Sequence, residues 1–101
     1  MLNQCVVVGK ILTMPRTLIG LEEGQYLFEI VVPRVGTSKT DDRITCITTE
    51  NIAINMRNYT RLKDIVGVKG SIRTINDTMY VFAEKITFLS THRDDIVEGG
   101  E

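Results

Sequence analysis

The chain has 101 residues, enough for one domain with a single modest core and too few for two. Apolar residues make up 43% and charged residues 25%, and no apolar run reaches the roughly 20 residues that a membrane-spanning helix needs. The formal net charge of −1 supplies no global field to gather polyanions, so any nucleic-acid site must be a local patch.

The opening Met1-Leu-Asn-Gln-Cys has no basic leader followed by a long apolar stretch, which predicts no secretory signal and a cytoplasmic location. A first strand is predicted over Gln4–Leu12, with Gly9 marking a bend. Its Cys5-Val-Val-Val8 stretch is continuous enough to call for burial on both faces. Thr13–Gly24 reads as a loop carrying Pro15, Gly20 and the pair Glu22 and Glu23. In the second strand, Gln25–Val32, the residues Tyr26, Phe28, Ile30 and Val32 share a face, and Pro33 ends the run. Arg34–Asp42 has almost no apolar content and reads as an exposed hairpin loop longer than a tight turn, a candidate binding loop.

A third strand is predicted over Arg43–Thr49. Thr49 or Glu50 then caps a short helix in which Ile52, Ala53, Met56 and Tyr59 recur at helical spacing through Arg61. Arg57, Arg61 and Lys63 near the helix end complement its dipole and solvate that face. Strands four and five are predicted over Ile65–Ile75 and Met79–Leu89, joined by Asn76-Asp77, residues that tolerate left-handed turn geometry. In strand four Val66, Val68 and Ile72 keep one parity while Lys69, Ser71 and Arg73 keep the other, so one face is apolar and the other polar and basic. Glycines 67 and 70 fit a strand that coils sharply or meets another backbone closely. In strand five Phe82 and Phe88 fall in an apolar parity set with Ile86, which makes them core residues alongside Phe28; Tyr80 shares that parity at the start of the strand. Three strands, a helix and two strands in that order predict a five-stranded OB-type β-barrel whose helix plugs one end. The fold class is therefore all-β with one short helix, over residues 1–90, followed by a short acidic tail over 91–101 that is expected not to pack.

Cys5 and Cys46 lie inside apolar strand patterns without Cys-x-x-Cys spacing and read as free thiols. The single histidine, His92, is far from both. There is no glycine-rich phosphate loop, no nucleophile with a base at useful spacing and no metal-ligand cluster, so the chain is expected to be no enzyme and to need no cofactor.

Over roughly residues 1–90 the chain resembles the bacterial single-stranded-DNA-binding protein family. The resemblance is carried by Met1-Leu-Asn with Val6-Val-Val-Gly9-Lys, Phe28-x-Ile-x-Val-x-Arg34, Asn58-Tyr59, Val66-Gly-Val-x-Gly-x-Ile-x-Thr74 and Val81-x-Ala-Glu-x-Ile-x-Phe-Leu89, five segments in order. It implies an OB barrel that binds single-stranded DNA without sequence preference, in replication, recombination or repair, and that assembles as a homotetramer or a dimer as a subset of it. That family stacks bases on aromatic side chains and tracks phosphates with Lys and Arg. This chain has no tryptophan, and at the positions of the family's surface aromatics it has Gly36, Arg43, Thr49 and Asn76 or Asp77.

Arg43 can replace an aromatic, because a guanidinium stacks on a base and meets a phosphate. Tyr80 is the second candidate platform, and Thr49 marks the third position. Lys10, Arg34, Lys69 and Arg73 are the candidate phosphate track. The family's acidic tail ends in a hydrophobic tip that recruits replication and repair partners; here Asp94-Asp-Ile96 only echoes it, and the aromatic and proline of that tip are missing. The competing reading is an OB module for protein–protein contacts, primosome-like or a mobile-element accessory, with nucleic-acid binding weak or lost.

Overall fold

Six elements follow one another in the computed structural model, which describes residues 1–36 and 40–90. They are β1 (Cys5–Arg16), β2 (Gln25–Pro33), β3 (Asp41–Thr49), α1 (Glu50–Tyr59), β4 (Ile65–Ile75) and β5 (Thr78–Ser90). The strands close a barrel in the order β1-β2-β3-β5-β4, with the helix between β3 and β4, which is the OB topology expected from the strand order. The expected acidic tail over 91–101 and the middle of the Arg34–Asp42 loop lie outside the described residues.

β1 serves two neighbours. Its first half, Cys5–Lys10, pairs antiparallel with β4, and its second half, from Lys10 onward, pairs with β2. The strand bends between them at Gly9, where a Cβ would stand 2.5 Å from the Val31 carbonyl oxygen, so only glycine lets the two backbones approach. β1 also runs four residues past the expected Leu12. Register shifts between Ile11, Thr13 and Arg16 absorb the bend, and the Glu29 N–H donates to Thr13 Oγ1 at 2.9 Å, which replaces a ladder bond. Pro15 is therefore tolerated inside a strand that composition alone reads as loop.

The core is formed by Ile11, Phe28, Ile30, Cys46, Val66, Val68, Val81 and Ala83 from the strands, with Met56 entering from the helix. Burying one such large aliphatic or aromatic side chain stabilises the fold by about 1.5–3 kcal/mol. The helix ends at Tyr59, short of the expected Arg61, because Thr60 turns back and both its N–H and its hydroxyl bond the Met56 carbonyl, at 2.9 and 2.6 Å. Thr49 occupies the N-cap position but makes no side-chain capping bond. Asn76 and Asp77 take φ of 50° and 65°, as expected for the β4–β5 turn.

The aromatic assignments need correction. Phe28 is fully buried, but Phe82 is half-buried with its side chain outward, and Phe88 is exposed. For Phe82 the cause is a β-bulge: Gly70 pairs with Ala83 and Lys69 with Lys85, which leaves Glu84 as an extra residue and reverses the parity of β5. Phe88, paired with the buried Val66, keeps the inward parity and is exposed because it lies near the end of the strand. Val81 and Ala83 point inward before the bulge and Ile86 after it, so no single alternation runs from 80 to 88. Tyr59, at helical spacing with the buried Ala53 and Met56, is 64% exposed because the helix stops at that residue. The expected double burial of β1 is also not met within one chain: Val6 is 66% and Val8 49% exposed.

Both cysteines are free. Cys46 is buried, and loss of hydration pushes its thiol up to about 12, with a smaller contribution from Cys5.

Candidate nucleic-acid interface

Strand alternation sorts the seven expected site residues. On β3 the residues Ile44, Cys46 and Thr48 point into the barrel, which turns Arg43, Thr45 and Thr49 outward. On β5 ahead of the bulge, Val81 and Ala83 point inward, and Tyr80 and Phe82 outward. Arg73 pairs across β4 and β5 with Tyr80, and Lys10 on β1 pairs with Val31, which pairs in turn with Arg43. Lys10 and Arg43 thus flank Val31 on one transverse row, two strand spacings or roughly 10 Å apart.

β3 and β5 run parallel and pair only over Cys46–Thr48 and Val81–Ala83. Ahead of that seam, Arg43–Thr45 and Met79–Val81 form the two walls of an open cleft of about 370 Å³. Cys5, Val7 and Ile72 complete its apolar floor. The fold therefore brings Arg43 and Tyr80 to opposite walls of one cleft, an apolar slot with a cation on one wall and a phenol ring on the other.

Phe82, which was not among the expected site residues, lies on the same outer face of β5 as Tyr80. The guanidinium carbon of Arg73 lies 4.0 Å from the centroid of the Phe82 ring, a cation–π pair that presents a planar cation to solvent. Phe82 pairs with Ser71 on one side and Ile47 on the other. The signal for its outward direction is Gly70 itself, since a strand glycine of this kind marks a bulge and the parity of the partner strand restarts there.

The remaining expected residues are dispersed. Arg34 donates from Nε and Nη2 to both carboxylate oxygens of Asp42, at 2.8–3.2 Å, so its charge reaches the surface as half of an ion pair. The hydrogen bond from Arg34 holds the Asp42 carboxyl below its ordinary range, and the same bond raises Arg34. Lys69 lies on another surface, paired with Val6 on β1 and Lys85 on β5. There Val6, Val8, Gly67, Thr87 and Leu89 line a shallow apolar groove with the two lysines beside it. Thr49 sits exposed at the far end of β3, paired with Gln25. Two carboxylates also share the outer face of β2 and β3: Glu29, paired with Thr45, and Asp41, exposed two residues before Arg43 on the same strand, so each lies one row from Arg43. Among the described residues no three His, Cys, Asp or Glu side chains are grouped to hold a metal ion, and no helix is long and apolar enough to cross a membrane.

No family model matches the sequence, and no curated protein matches it. Solved structures do match. The mitochondrial single-stranded DNA binding protein of S. cerevisiae superposes with a TM-score of 0.69 at 17% identity, over 90% of this chain and 99% of that one. The Plasmodium falciparum single-stranded-DNA-binding protein, in complex with single-stranded DNA, gives 0.66 at 16% identity, over 89% and 96%. The chain has the fold of single-stranded-DNA-binding domains. The N-terminal domain of the PriB protein of Thermoanaerobacter tencongensis, a dimer, shares it with a TM-score of 0.68 at 23% identity, over 86% of this chain and 96% of that one.

Proposed function

We propose that the chain is a divergent single-stranded-DNA-binding protein that binds single strands without sequence preference, in support of DNA replication, recombination or repair. The observation that carries this reading is the meeting of Arg43 and Tyr80 on one apolar cleft of a barrel built like those domains. A base enters the cleft and stacks against Tyr80, the Arg43 guanidinium covers it or takes its phosphate, and the Arg73–Phe82 pair and Lys10 continue the track on either side. Thr49 lies at the far end of β3 from this cleft, and Arg34 is held by Asp42, so both are secondary to the site.

The protein acts by binding and has no catalytic step of its own. Self-association through the exposed Val6 and Val8 of β1 completes the surface that one chain leaves bare, and Lys69, beside that groove, contributes to the subunit contact more than to the phosphate track.

Fluorescence anisotropy of labelled oligo-dT of increasing length, at several salt concentrations and with duplex DNA as control, tests the reading. Length-dependent binding to single strands with a steep negative salt slope supports it. No binding at low salt sinks it, and the chain is then a protein-docking barrel.

A further inference from the structure

Two aromatic rings lie outside the cleft and outside the core. Tyr59 closes α1 with 64% of its surface exposed, and Phe88, near the end of β5, is 43% exposed. Their centroids are 6.5 Å apart with the rings tilted by 37°, a spacing at which aromatic side chains attract one another. The pair stands at the helix-capped end of the barrel, whereas the cleft lies by the starts of β3 and β5 and the end of β4.

Charge is also concentrated at this end. Residues 57–63 contain Arg57, Arg61 and Lys63 and no carboxylate. Arg57 is anchored, its guanidinium donating to the Pro15 carbonyl. Lys63 is fixed by a left-handed backbone, φ 76°, and by its N–H bond to the Ile11 carbonyl. The nearest carboxylate in sequence, Asp64, is buried and accepts the Arg61 N–H at 2.9 Å, so it does not oppose an incoming anion at the surface. The helix C-terminus contributes only about half a negative charge, which three cations outweigh.

We infer that the Tyr59–Phe88 pair with Arg57, Arg61 and Lys63 is a second contact for single-stranded nucleic acid: a base stacks on Tyr59, Phe88 backs the ring, and the cations take the flanking phosphates. The inference rests on the reading that the chain binds single strands, and it adds a surface that the cleft does not include. A stacking ring with cations around it is the combination such ligands select, and a purely apolar partner has no use for the three cations of residues 57–63.

The chain has no tryptophan, so Tyr59→Trp and Tyr80→Trp each create a single local reporter. Unlabelled dT30 is expected to quench both, and Arg61→Ala in the otherwise native chain to lower the salt slope of dT30 binding by about 0.7. Tyr59→Leu is expected to weaken dT30 binding about tenfold. Quenching in Tyr80→Trp without quenching in Tyr59→Trp overturns the inference and leaves the cleft reading in place. Quenching in Tyr59→Trp alone supports the second surface and removes the cleft from the reading; quenching in neither removes both. A Tyr59→Trp emission that shifts with protein concentration in the absence of DNA, and does not respond to dT30, assigns the patch to a subunit contact and also overturns the inference.

Discussion

Gly70 is pressed against the backbone of Phe82 so closely that a Cβ at position 70 would lie 1.8 Å from the Phe82 carbonyl oxygen. That approach accompanies the bulge at Glu84, which turns Phe82 and Tyr80 to the outside while Ile86 returns to the core.

Gly70→Ala is therefore expected to cost about 3 kcal/mol or more, because the obstructing atom is backbone and cannot rotate away. Gly67→Ala is the internal control: its nearest contact would be 3.6 Å from the Leu89 side chain, an ordinary distance. Urea unfolding of the two variants measures the difference, and equal stabilities would show that β5 does not press on Gly70.

Arg43→Ala and Tyr80→Leu should both weaken oligo-dT binding, in different ways. Loss of a phosphate contact at Arg43 lowers the salt slope by about 0.7. Loss of stacking at Tyr80 costs about 1–3 kcal/mol and leaves the slope unchanged. Two variants with the same slope change, or with none, would contradict the division of roles across the cleft.

Asp42→Asn releases the Arg34 guanidinium from its ion pair. Oligo-dT binding is expected to tighten and its salt dependence to steepen if Arg34 borders the path of the strand. An unchanged affinity places Arg34 off that path. Stability should change little, since both partners are exposed.

The Cys46 thiol, pushed up to about 12 by burial, stays protonated in the folded barrel where an unfolded chain would ionise from about 9.0 upward. The folded state then holds the extra proton, so its stability is complete below about 9.0 and falls as pH rises towards 12. Thermal unfolding between these limits should show the decline, and Cys46→Ala should flatten it. In the native protein at neutral pH a thiol reagent should modify the half-buried Cys5 before Cys46; the reverse order would mean that the barrel opens at Cys46.

Replacing Val6 and Val8 by Glu places charge in the apolar groove that Lys69 and Lys85 border. Sedimentation should show loss of self-association with the fold retained, because both side chains are exposed in the single chain. A wild-type protein that sediments as a monomer at micromolar concentration removes the interface altogether.

Most of the barrel was legible from the sequence because β2, β3 and β4 each keep a single alternation. Val66 and Val68 against Lys69 and Arg73 on β4 sort correctly, and Asn76-Asp77 adopts the turn its residue types favour. What escaped is where a pattern changes phase inside an element. The bulge opposite Gly70 moved Phe82 from the expected core to the surface, and the register shifts after Ile11 carried β1 through Pro15. Of the site, Arg43 and Tyr80 were placed by position on their strands, and the fold brings them together. The pairing of Arg34 with Asp42 and the separation of Lys69 from Arg43 depend on barrel closure, which no local spacing encodes.

The seam between β3 and β5 joins three residues of each strand, whereas β4 and β5 pair along their whole length. Amides at Cys46–Thr48 and Val81–Ala83 are thus guarded by the shortest ladder in the barrel, and hydrogen exchange should find opening there before it reaches the β4–β5 hairpin. A ligand lodged between Arg43 and Tyr80 bridges the two parted edges just ahead of that ladder. Occupancy would act as a clasp, slowing exchange along the seam and raising the melting temperature in step with ligand concentration.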